Sequence, residues 1–241
     1  MNLAIDLGNT SAKVGLFEGT TLVRPPERID VAALPAFVAA ARPDHAIVCS
    51  VSGDAAALRE TLRPLVPSVY VLDYRLPVPV TNGYASPETL GMDRLAAVAG
   101  AAALHPGRPC LVVDLGTCIT YDLVDAAGYY HGGGISPGLR MRFRAMHTFT
   151  ARLPLIEPEP HAALIGTTTR TAMQSGVVNG LVAELEGTMS RYGAQFAPLT
   201  TILCGGDALF FETQLKGIIF VVPELVLLGL NRILLYNVSL T

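Results

Sequence analysis

Two short segments end an apolar run with an aspartate and then continue through a glycine to hydroxyl or amide residues. Residues 5–10 read IDLGNT and residues 113–117 read VDLGT. An unpaired carboxylate is costly to bury, so Asp6 and Asp114 each need a cation or hydrogen bonds. Glycine lets a phosphate approach the backbone closely, and successive backbone N–H groups in a turn suit an anion. Each segment therefore predicts a phosphate-binding turn with a cation nearby.

Polar side chains after the first turn strengthen this interpretation. Asn9, Thr10 and Ser11 offer donors, and Lys13 adds a positive charge on the outgoing strand. A magnesium ion, held by Asp6 directly or through water, would complete such a site. An ordinary hairpin is the alternative, but it accounts for Asn9 better than for an acid and a lysine together. The sequence contains no G-x-x-x-x-G-K-[S/T] motif, which excludes a P-loop kinase.

The two turns form an internal repeat, spaced by almost half of the chain. Each copy reads as strand, Asp-Leu-Gly, hydroxyl residue, strand and glycine turn, the second strand closing at Gly19 and at Gly128. Two similar half-molecules facing each other would bring both acidic turns to one cleft. Two carboxylates beside one triphosphate require cations between them.

The elements that would carry these turns alternate between strands and helices, which indicates an α/β fold. The predicted strands cover residues 3–7, 13–17, 46–49, 69–72, 111–113, 119–124 and 200–204. The predicted helices cover residues 32–41, 55–65, 93–104, 139–146, 171–192, 208–215 and 224–236. Proline and glycine predict loops at 73–86, 132–138 and 154–160. Ser86 is predicted to cap a helix start, with Pro87 in the first helical position.

Composition excludes several classes of protein. The 241 residues are 51% hydrophobic and 15% charged with a net charge of −3, so a basic nucleic-acid surface is not expected. Neither a signal peptide nor a membrane span is predicted, because the most apolar stretch, residues 217–238, is interrupted by polar residues and Pro223. A cytoplasmic protein is the expectation. The four cysteines form no C-x-x-C pair and are predicted to be free thiols.

Further motifs give the chain a specific resemblance. Besides the two turns, these are residues 87–94 (PETLGMDR), 133–138 (GGISPG), 149–154 (FTARLP), 205–208 (GGDA), 223–225 (PEL) and 229–230 (GL). In this order, and over nearly the whole chain, they resemble the motifs of type III pantothenate kinases. The resemblance implies the actin-like/sugar-kinase superfamily fold, in which two ribonuclease-H-like domains enclose the active site in a cleft. The expected domains are residues 1–112 and 113–241.

The resemblance also implies a reaction: ATP-dependent phosphorylation of pantothenate to 4'-phosphopantothenate, the first step of coenzyme A biosynthesis. It implies magnesium, a monovalent cation (K⁺ or NH₄⁺) and a homodimer. The residues that it assigns to ATP are Asp6, Leu7, Gly8, Asn9, Thr10, Ser11, Ala12, Lys13 and Thr117. Those that it assigns to pantothenate are Tyr84, Gly91, Met92, Asp93, Arg94 and Thr169. Asp93 would be the general base, Asp114 would bind the monovalent cation, and Asp6 would hold magnesium.

The residue chemistry of Asp93 and Arg94 agrees with these roles. A base must lie within hydrogen-bond reach of the alcohol that it deprotonates, and an arginine fork suits a substrate carboxylate. A capping aspartate followed by a solvated arginine is the alternative. Two residues depart from the family pattern: Cys118 stands where a small residue is usual, and Thr168 where asparagine is common.

Two other functions remain open. One is a different small-molecule kinase of the superfamily, such as an N-acetylhexosamine or glycerol kinase, against which the segment 91–94 argues. The other is a non-catalytic transcriptional regulator with the same fold, which the presence of Asp6, Asp93 and Asp114 disfavours.

The five histidines lack metal-ligand spacing. The basic cluster of Arg140, Arg142 and Arg144 is predicted to be a solvated helix face.

Overall fold

In the computed structural model, the short apolar runs of the sequence form strands, and the segments between them form helices and turns. It describes residues 1–8, 11–50 and 55–240. The strands are β1 Asn2–Leu7, β2 Ser11–Glu18, β3 Thr21–Leu22, β4 Glu27–Asp30, β5 His45–Ser50, β6 Ser68–Val71, β7 Thr81–Asn82, β8 Cys110–Leu115, β9 Cys118–Val124, β10 Tyr129–Pro137, β11 Thr200–Cys204 and β12 Ile219–Val221. The α-helices are α1 Leu34–Ala41, α2 Ala55–Leu62, α3 Met92–Leu104, α4 Leu139–Thr148, α5 Thr169–Gln174, α6 Gly180–Gln195, α7 Ala208–Glu212 and α8 Leu225–Val238.

The chain divides into two compact units. The first contains the described residues of 1–107, 126–131 and 224–240, and the second contains residues 108–125 and 132–223. This division differs from the expected domains, 1–112 and 113–241, because the C-terminal helix and a short central segment join the N-terminal part of the chain. A boundary read along the sequence cannot show which unit a returning helix packs against.

The first unit is a three-layer α/β structure. Its sheet has the order β3-β2-β1-β5-β6, with β4 also paired to β2; β1 is antiparallel to β2 and parallel to β5. Side chains alternate across β1, so Leu3 and Ile5 pack with α1 and α2, while Ala4 packs with α3 and α8. Asp6 has the same parity as Ala4. Its carboxylate is therefore directed to the face covered by α3 and α8.

Helices α3 and α8 pack through glycines. A Cβ at Gly229 would lie 1.7 Å from the carbonyl oxygen of Ala96, and one at Gly100 would lie 2.8 Å from that of Leu225. Such distances are far below any van der Waals contact, so only glycine allows the two backbones to approach this closely. Asn231 fixes α8 further by accepting a hydrogen bond from the Asn2 side chain and donating one to the Gly19 carbonyl.

The second unit repeats the first. The second sheet is ordered β12-β11-β8-β9-β10-β7, so its central pair β8 and β9 corresponds to β1 and β2, and β11 corresponds to β5. The pairing is the same, antiparallel between β8 and β9 and parallel between β8 and β11. Even the sequence of buried and half-buried residues along β1 recurs along β8. The predicted repeat of strand, turn and strand is confirmed.

Several local predictions were wrong. The glycine-rich segment 132–134 lies inside β10 rather than in a loop, because β10 passes so close to β9 that a Cβ at Gly133 would lie 1.7 Å from the Tyr121 carbonyl oxygen. Ser86 begins a short 3₁₀ helix, Pro87–Thr89, without a side-chain cap. The predicted long helix is a succession of α5, a π-helical turn at Ser175–Asn179, and α6. Short strands β3, β4, β7 and β12 were not predicted.

All four cysteines are free thiols. No helix among the described residues is long and apolar enough to span a membrane.

Candidate active site

A row of polar side chains crosses four neighbouring strands of the first unit. Asp6 on β1 lies opposite Lys13 on β2 and opposite Cys49 on β5. Lys13 in turn lies opposite Arg28 on β4. Residues directly opposite each other place their side chains on the same face of the sheet. The row therefore presents two cations, a carboxylate and a thiol side by side. Arg28 was missed from the sequence because β4 was not predicted.

The Asp6 carboxyl is electrostatically strained. Burial raises its pKa to about 6, and the nearby Asp93 carboxylate contributes in the same direction, while Lys13 and Arg28 oppose the shift. The neighbouring Cys49 thiol shows the same field, since burial and the charges of both aspartates raise its pKa. Two carboxylates that disfavour each other's charge suit a site that binds a cation. The structure thus brings Asp6 and Asp93 together although 86 residues of chain separate them.

The first turn closes tightly. The Gly8 N–H donates to the Ser11 carbonyl at 3.0 Å, and a Cβ at Gly8 would lie 3.1 Å from the same oxygen. Asn9 and Thr10, both predicted to bind ATP, lie outside the described residues. The predicted neighbours Leu7 and Ala12 are buried core residues whose backbone pairs β1 with β2. They can contribute only backbone atoms to a phosphate site.

Helix α3 begins at the same end of the sheet and carries Asp93 in its first turn. Gly91 is the N-cap residue, and a Cβ there would lie 2.6 Å from Asp93 Oδ1. That oxygen accepts a hydrogen bond from the Arg94 backbone N–H at 2.8 Å. The positive end of the helix dipole stabilises a carboxylate in this position. Gly91, Met92 and Asp93 are therefore placed by one helix start.

Arg94 is buried, with 7% of its surface exposed. Its guanidinium lies over the ring of Tyr84 at 5.6 Å from the centroid, a cation–π arrangement. The Tyr84 backbone N–H donates to the Asn82 side chain at 3.0 Å. Tyr84 and Arg94, which are ten residues apart in the sequence, are thus in contact at the start of α3. A buried guanidinium beside a half-buried tyrosine is suited to an anionic group on a small ligand.

In the second unit, Asp114 occupies a cradle made by glycines. A Cβ at Gly205 would lie 2.5 Å from Asp114 Oδ1, and one at Gly116 would lie 3.0 Å from it. Gly205 has φ +87°, a conformation that favours glycine. The Cys204 thiol donates to Asp114 Oδ2 at 3.5 Å. A half-buried carboxylate in a space kept free of Cβ atoms fits a bound cation.

The second turn packs against the glycine-rich motif. The Gly138 N–H donates to the Thr117 carbonyl at 3.2 Å, and a Cβ at Gly138 would lie 2.4 Å from that oxygen. The Thr117 side chain is exposed. Cys118, the departure from the family pattern, takes part through its backbone: its carbonyl accepts the Gly116 N–H at 3.2 Å. The unusual side chain therefore leaves the turn geometry intact.

A polar network that sequence reasoning missed supports this motif. Glu184 on α6 accepts hydrogen bonds from Arg142 at 2.6 Å, Ser136 at 2.7 Å and Tyr121 at 3.2 Å. Burial alone would raise the pKa of Glu184, but the hydrogen bonds from Arg142 and Ser136 hold it below its usual value. Arg142 is thus an internal partner, and Arg140 bonds to Asp207. The prediction of a solvated basic face was wrong for Arg142, whereas Arg140 remains exposed beside its ion pair.

Thr169, predicted to bind pantothenate, is exposed in the first turn of α5. The helix start is a capping box: the Thr168 side chain accepts the Thr171 N–H, and the Thr171 hydroxyl accepts the Thr168 N–H. Thr168 therefore caps the helix in the place where asparagine is common. Thr169 and Asp114 belong to the second unit, whereas Asp6, Asp93 and Arg94 belong to the first. Throughout the described part of the chain, no three His, Cys, Asp or Glu residues form a metal-binding group.

Comparison with known proteins agrees with this arrangement. A sequence model of the family described as type III pantothenate kinase matches residues 2–191, which include both turns and the Asp93 helix. This chain belongs to the type III pantothenate kinase family. A type III pantothenate kinase of Phocaeicola vulgatus is 44% identical over 98% of this chain and 99% of its own. One from Cytophaga hutchinsonii is 42% identical over 99% and 100% of the two chains.

Solved structures show where the type III pantothenate kinase chain belongs by fold. A ROK hexokinase from Thermus thermophilus matches with a TM-score of 0.54 at 14% identity, covering 99% of both chains. A protein described as a Baf family transcriptional activator from Campylobacter jejuni matches with a TM-score of 0.68 at 18% identity, covering 98% and 99%. At such identities the likeness establishes the fold alone. The expected sugar-kinase, actin-like architecture of two ribonuclease-H-like sheets is confirmed.

Proposed function

We propose that this protein transfers the γ-phosphate of ATP to the hydroxyl of pantothenate, giving 4'-phosphopantothenate, in the first step of coenzyme A biosynthesis. The observation that carries the proposal is the grouping of Asp6, Asp93 and Arg94 in one unit, within a chain of the type III pantothenate kinase family. It joins a phosphate turn, a carboxylate base and a buried guanidinium. Each has a distinct task in phosphorylating an alcohol that also carries a carboxylate.

Asp93 is proposed as the general base. The Arg94 backbone N–H donates to its Oδ1, which orients the carboxylate, and this carboxylate is proposed to accept the proton of the substrate hydroxyl. As that oxygen attacks the γ-phosphorus, the bond to the leaving ADP oxygen lengthens in line with it. The proton ends on Asp93. The guanidinium of Arg94, held over Tyr84, is proposed to bind the pantothenate carboxylate and so to set the position of the hydroxyl.

The ATP phosphates are proposed to lie at the first turn. Gly8 allows their close approach, and Lys13 neutralises their charge. Arg28, directly across from Lys13, is proposed as a second cation for the same phosphates. The contributions of Asn9, Thr10 and Thr117 to ATP binding, and of Thr169 to pantothenate binding, rest on the family resemblance.

Two cations complete the proposal. The raised pKa of Asp6 shows that its ionised form lacks a sufficient counter-charge from the protein, so this carboxylate fits a magnesium ion held directly or through water. The glycine cradle of Asp114 fits K⁺ or NH₄⁺. When bound, these ions would supply positive charge to the triphosphate. A homodimer in the cytoplasm belongs to the same proposal.

The non-catalytic regulator remains the second candidate, favoured by the fold shared with a protein described as a transcriptional activator. That fold is equally shared with a hexokinase. Neither likeness decides the question. A regulator would have no use for a base placed beside a phosphate turn, which is why catalysis is the preferred function.

A direct assay tests the proposal. Purified protein is incubated with ATP, Mg²⁺, K⁺ and pantothenate, and 4'-phosphopantothenate is measured by mass spectrometry. Glucose and N-acetylglucosamine serve as alternative acceptors. We expect turnover with pantothenate only, and a fall in kcat of ~10²-fold or more in Asp93→Asn, the usual scale for a positioned base. Nucleotide binding and thermal stability should be retained in this variant. No turnover of pantothenate by the wild type, or normal turnover in a folded Asp93→Asn protein, would contradict it.

A further inference from the structure

A short segment from the middle of the chain is built into the first unit beside Tyr84. Residues 126–131, which include the start of β10, group with the first unit, and β10 pairs with β7, Tyr129 opposite Thr81 and Tyr130 opposite Asn82. Two further backbone bonds extend the pairing: Thr81 N–H to the Gly128 carbonyl at 2.9 Å and Gly83 N–H to the Tyr130 carbonyl at 3.0 Å. The loop predicted over residues 73–86 is therefore anchored at its end, directly before Tyr84.

The side chains of this segment pack on both sides of the anchored loop. The Tyr129 ring covers Gly83 so closely that a Cβ there would lie 2.3 Å from the Tyr129 hydroxyl oxygen. The Tyr130 ring is fully buried and lies parallel to the Tyr84 ring, with centroids 6.2 Å apart and an interplanar angle of 8°. Tyr84 is thus held by backbone pairing, by the Asn82 side chain and by a stacked ring.

Tyr84 neighbours both a buried aromatic ring and a buried cation. Tyr130 stacks near it, and the Arg94 guanidinium lies over its ring at 5.6 Å. A cation–π contact depends on where the ring face points, so tilting Tyr84 would displace the guanidinium. Because the fork geometry of arginine recognises a carboxylate only from a defined direction, such a displacement would weaken substrate binding.

We propose that Tyr130 is a positioning residue for pantothenate: its buried ring sets the orientation of Tyr84, and Tyr84 in turn orients the Arg94 guanidinium that receives the substrate carboxylate. This inference rests on the proposed function for its substrate, but its structural part does not. Tyr130 acts through Tyr84 and contacts neither ATP nor pantothenate. Its contribution therefore belongs to ground-state binding of one substrate, which appears in KM rather than in kcat.

The experiment compares Tyr130→Leu with Phe17→Leu. Phe17 is also fully buried in the first unit, so both variants replace a buried aromatic ring by leucine. We expect Tyr130→Leu to raise KM for pantothenate about fivefold, the effect of losing one aromatic pair, with kcat and KM for ATP within about twofold of wild type. Phe17→Leu should lower the melting temperature without raising KM for pantothenate. Equal KM values for pantothenate in wild type and Tyr130→Leu would overturn the proposal.

A second measurement needs no turnover. The protein is labelled with 3-fluorotyrosine, and the Tyr84 resonance is assigned by its disappearance in Tyr84→Phe. In the absence of substrates, this ¹⁹F resonance should shift in Tyr130→Leu and remain unshifted in Phe17→Leu; an unshifted resonance in both would overturn the proposal. If Tyr130→Leu does not fold, Tyr130→Met, which fills more of the ring volume, takes its place in both measurements.

The two proposals fail separately. A wild-type protein that does not phosphorylate pantothenate refutes the proposed function, whatever the ¹⁹F resonance does. An active wild type whose KM is insensitive to Tyr130→Leu refutes the positioning role alone. In a Tyr84→Leu background, Tyr130→Leu should raise KM no further, because the two residues act through one contact. Additive effects of the two substitutions on KM would contradict the proposal that Tyr130 acts on Arg94 through Tyr84.

Discussion

At the scale of single residues, Asp6 is a buried carboxyl that costs stability when it is ionised. Its folded-state pKa of about 6 exceeds the ordinary value of 3.8, mainly because it is buried. A carboxyl whose pKa is raised by folding favours the folded state only while it is protonated. Its stabilising contribution is complete below pH ~4 and is lost as the pH rises through ~6.

We therefore expect Asp6→Asn to stabilise the protein in metal-free buffer at pH 8 by about 3 kcal/mol, since folding raises the pKa from 3.8 to about 6 and each pKa unit is worth ~1.4 kcal/mol. The gain should shrink as the pH falls from 6 to 4, and catalytic activity should be lost. Urea unfolding across this pH range measures the effect. A gain that does not depend on pH would mean that folding does not raise the pKa of Asp6.

Asp114 is the corresponding carboxylate of the second unit. Its position among glycines leads to a prediction about the monovalent cation. Activity should require K⁺ or NH₄⁺ in addition to Mg²⁺, and Asp114→Ala should abolish this dependence together with most activity. Replacing K⁺ with Na⁺ or tetramethylammonium at constant ionic strength measures it. Asp44→Ala, which removes an exposed carboxylate of the first unit, is the control. Equal rates in Na⁺ and K⁺ would refute a cation site at Asp114.

At the scale of elements, the placement of Asp93 depends on how α3 packs. Helix α8 packs against the sheet of the first unit and crosses α3 at Gly100 and Gly229. At this crossing the two backbones leave no room for a side chain. The last helix of the chain thus fixes the helix that carries Asp93 and Arg94. Its own polar anchors, Asn231 and Asn237, are both buried and hydrogen-bonded, so α8 has a defined position against the sheet.

Gly229→Ala should destabilise the protein by about 2 kcal/mol or more, because the new methyl group would overlap the Ala96 carbonyl and force the helices apart. Activity should fall along with stability, since α3 would shift. Gly187→Ala on α6 is the matched control: no atom lies within 4 Å of its Cβ position, so alanine there should stabilise by ~0.5–1 kcal/mol. Thermal unfolding of both variants measures this. Similar melting temperatures would contradict the close helix crossing.

At the scale of the whole molecule, the second unit presents apolar side chains that a monomer would leave in water. Phe149, Leu164 and Ile165 are 84%, 81% and 78% exposed. The backbone around Leu164 is held in place by hydrogen bonds from Ser175 to the Leu164 carbonyl and from Asn179 to the Ala163 carbonyl. Exposed apolar groups on a fixed backbone are typical of an interaction surface.

We expect a homodimer that uses this surface, because symmetric pairs are the commonest soluble oligomers. Ile165→Asp should weaken the dimer by about tenfold or more, whereas Ile218→Asp, at an equally exposed residue of the same unit, should not. Sedimentation velocity over a wide concentration range measures both. A wild-type monomer at assay concentration would refute the dimer, and equal effects of the two substitutions would refute the location.

The sequence by itself determined the repeat and the chemistry. An apolar run ending in Asp-Leu-Gly predicts a buried strand, a tight turn and a carboxylate in need of a partner, and these are local properties. They predicted β1 with β2 and β8 with β9, and the pattern around Gly91 likewise predicted the helix of Asp93. The glycines of the segment 132–134 were wrongly predicted to form a loop. Glycine is needed there because β10 passes close to β9, and this contact is not visible in the local sequence.

Only the tertiary structure decided which groups meet. Strand register places Arg28 beside Lys13, and sheet parity turns Asp6 toward α3 and Asp93. The contact of Tyr130 with Tyr84 joins residues far apart in the chain. These contacts form through packing and backbone pairing between segments that are distant in the sequence. The free energy of such packing depends on the assembled core and not on the residues nearby in the sequence.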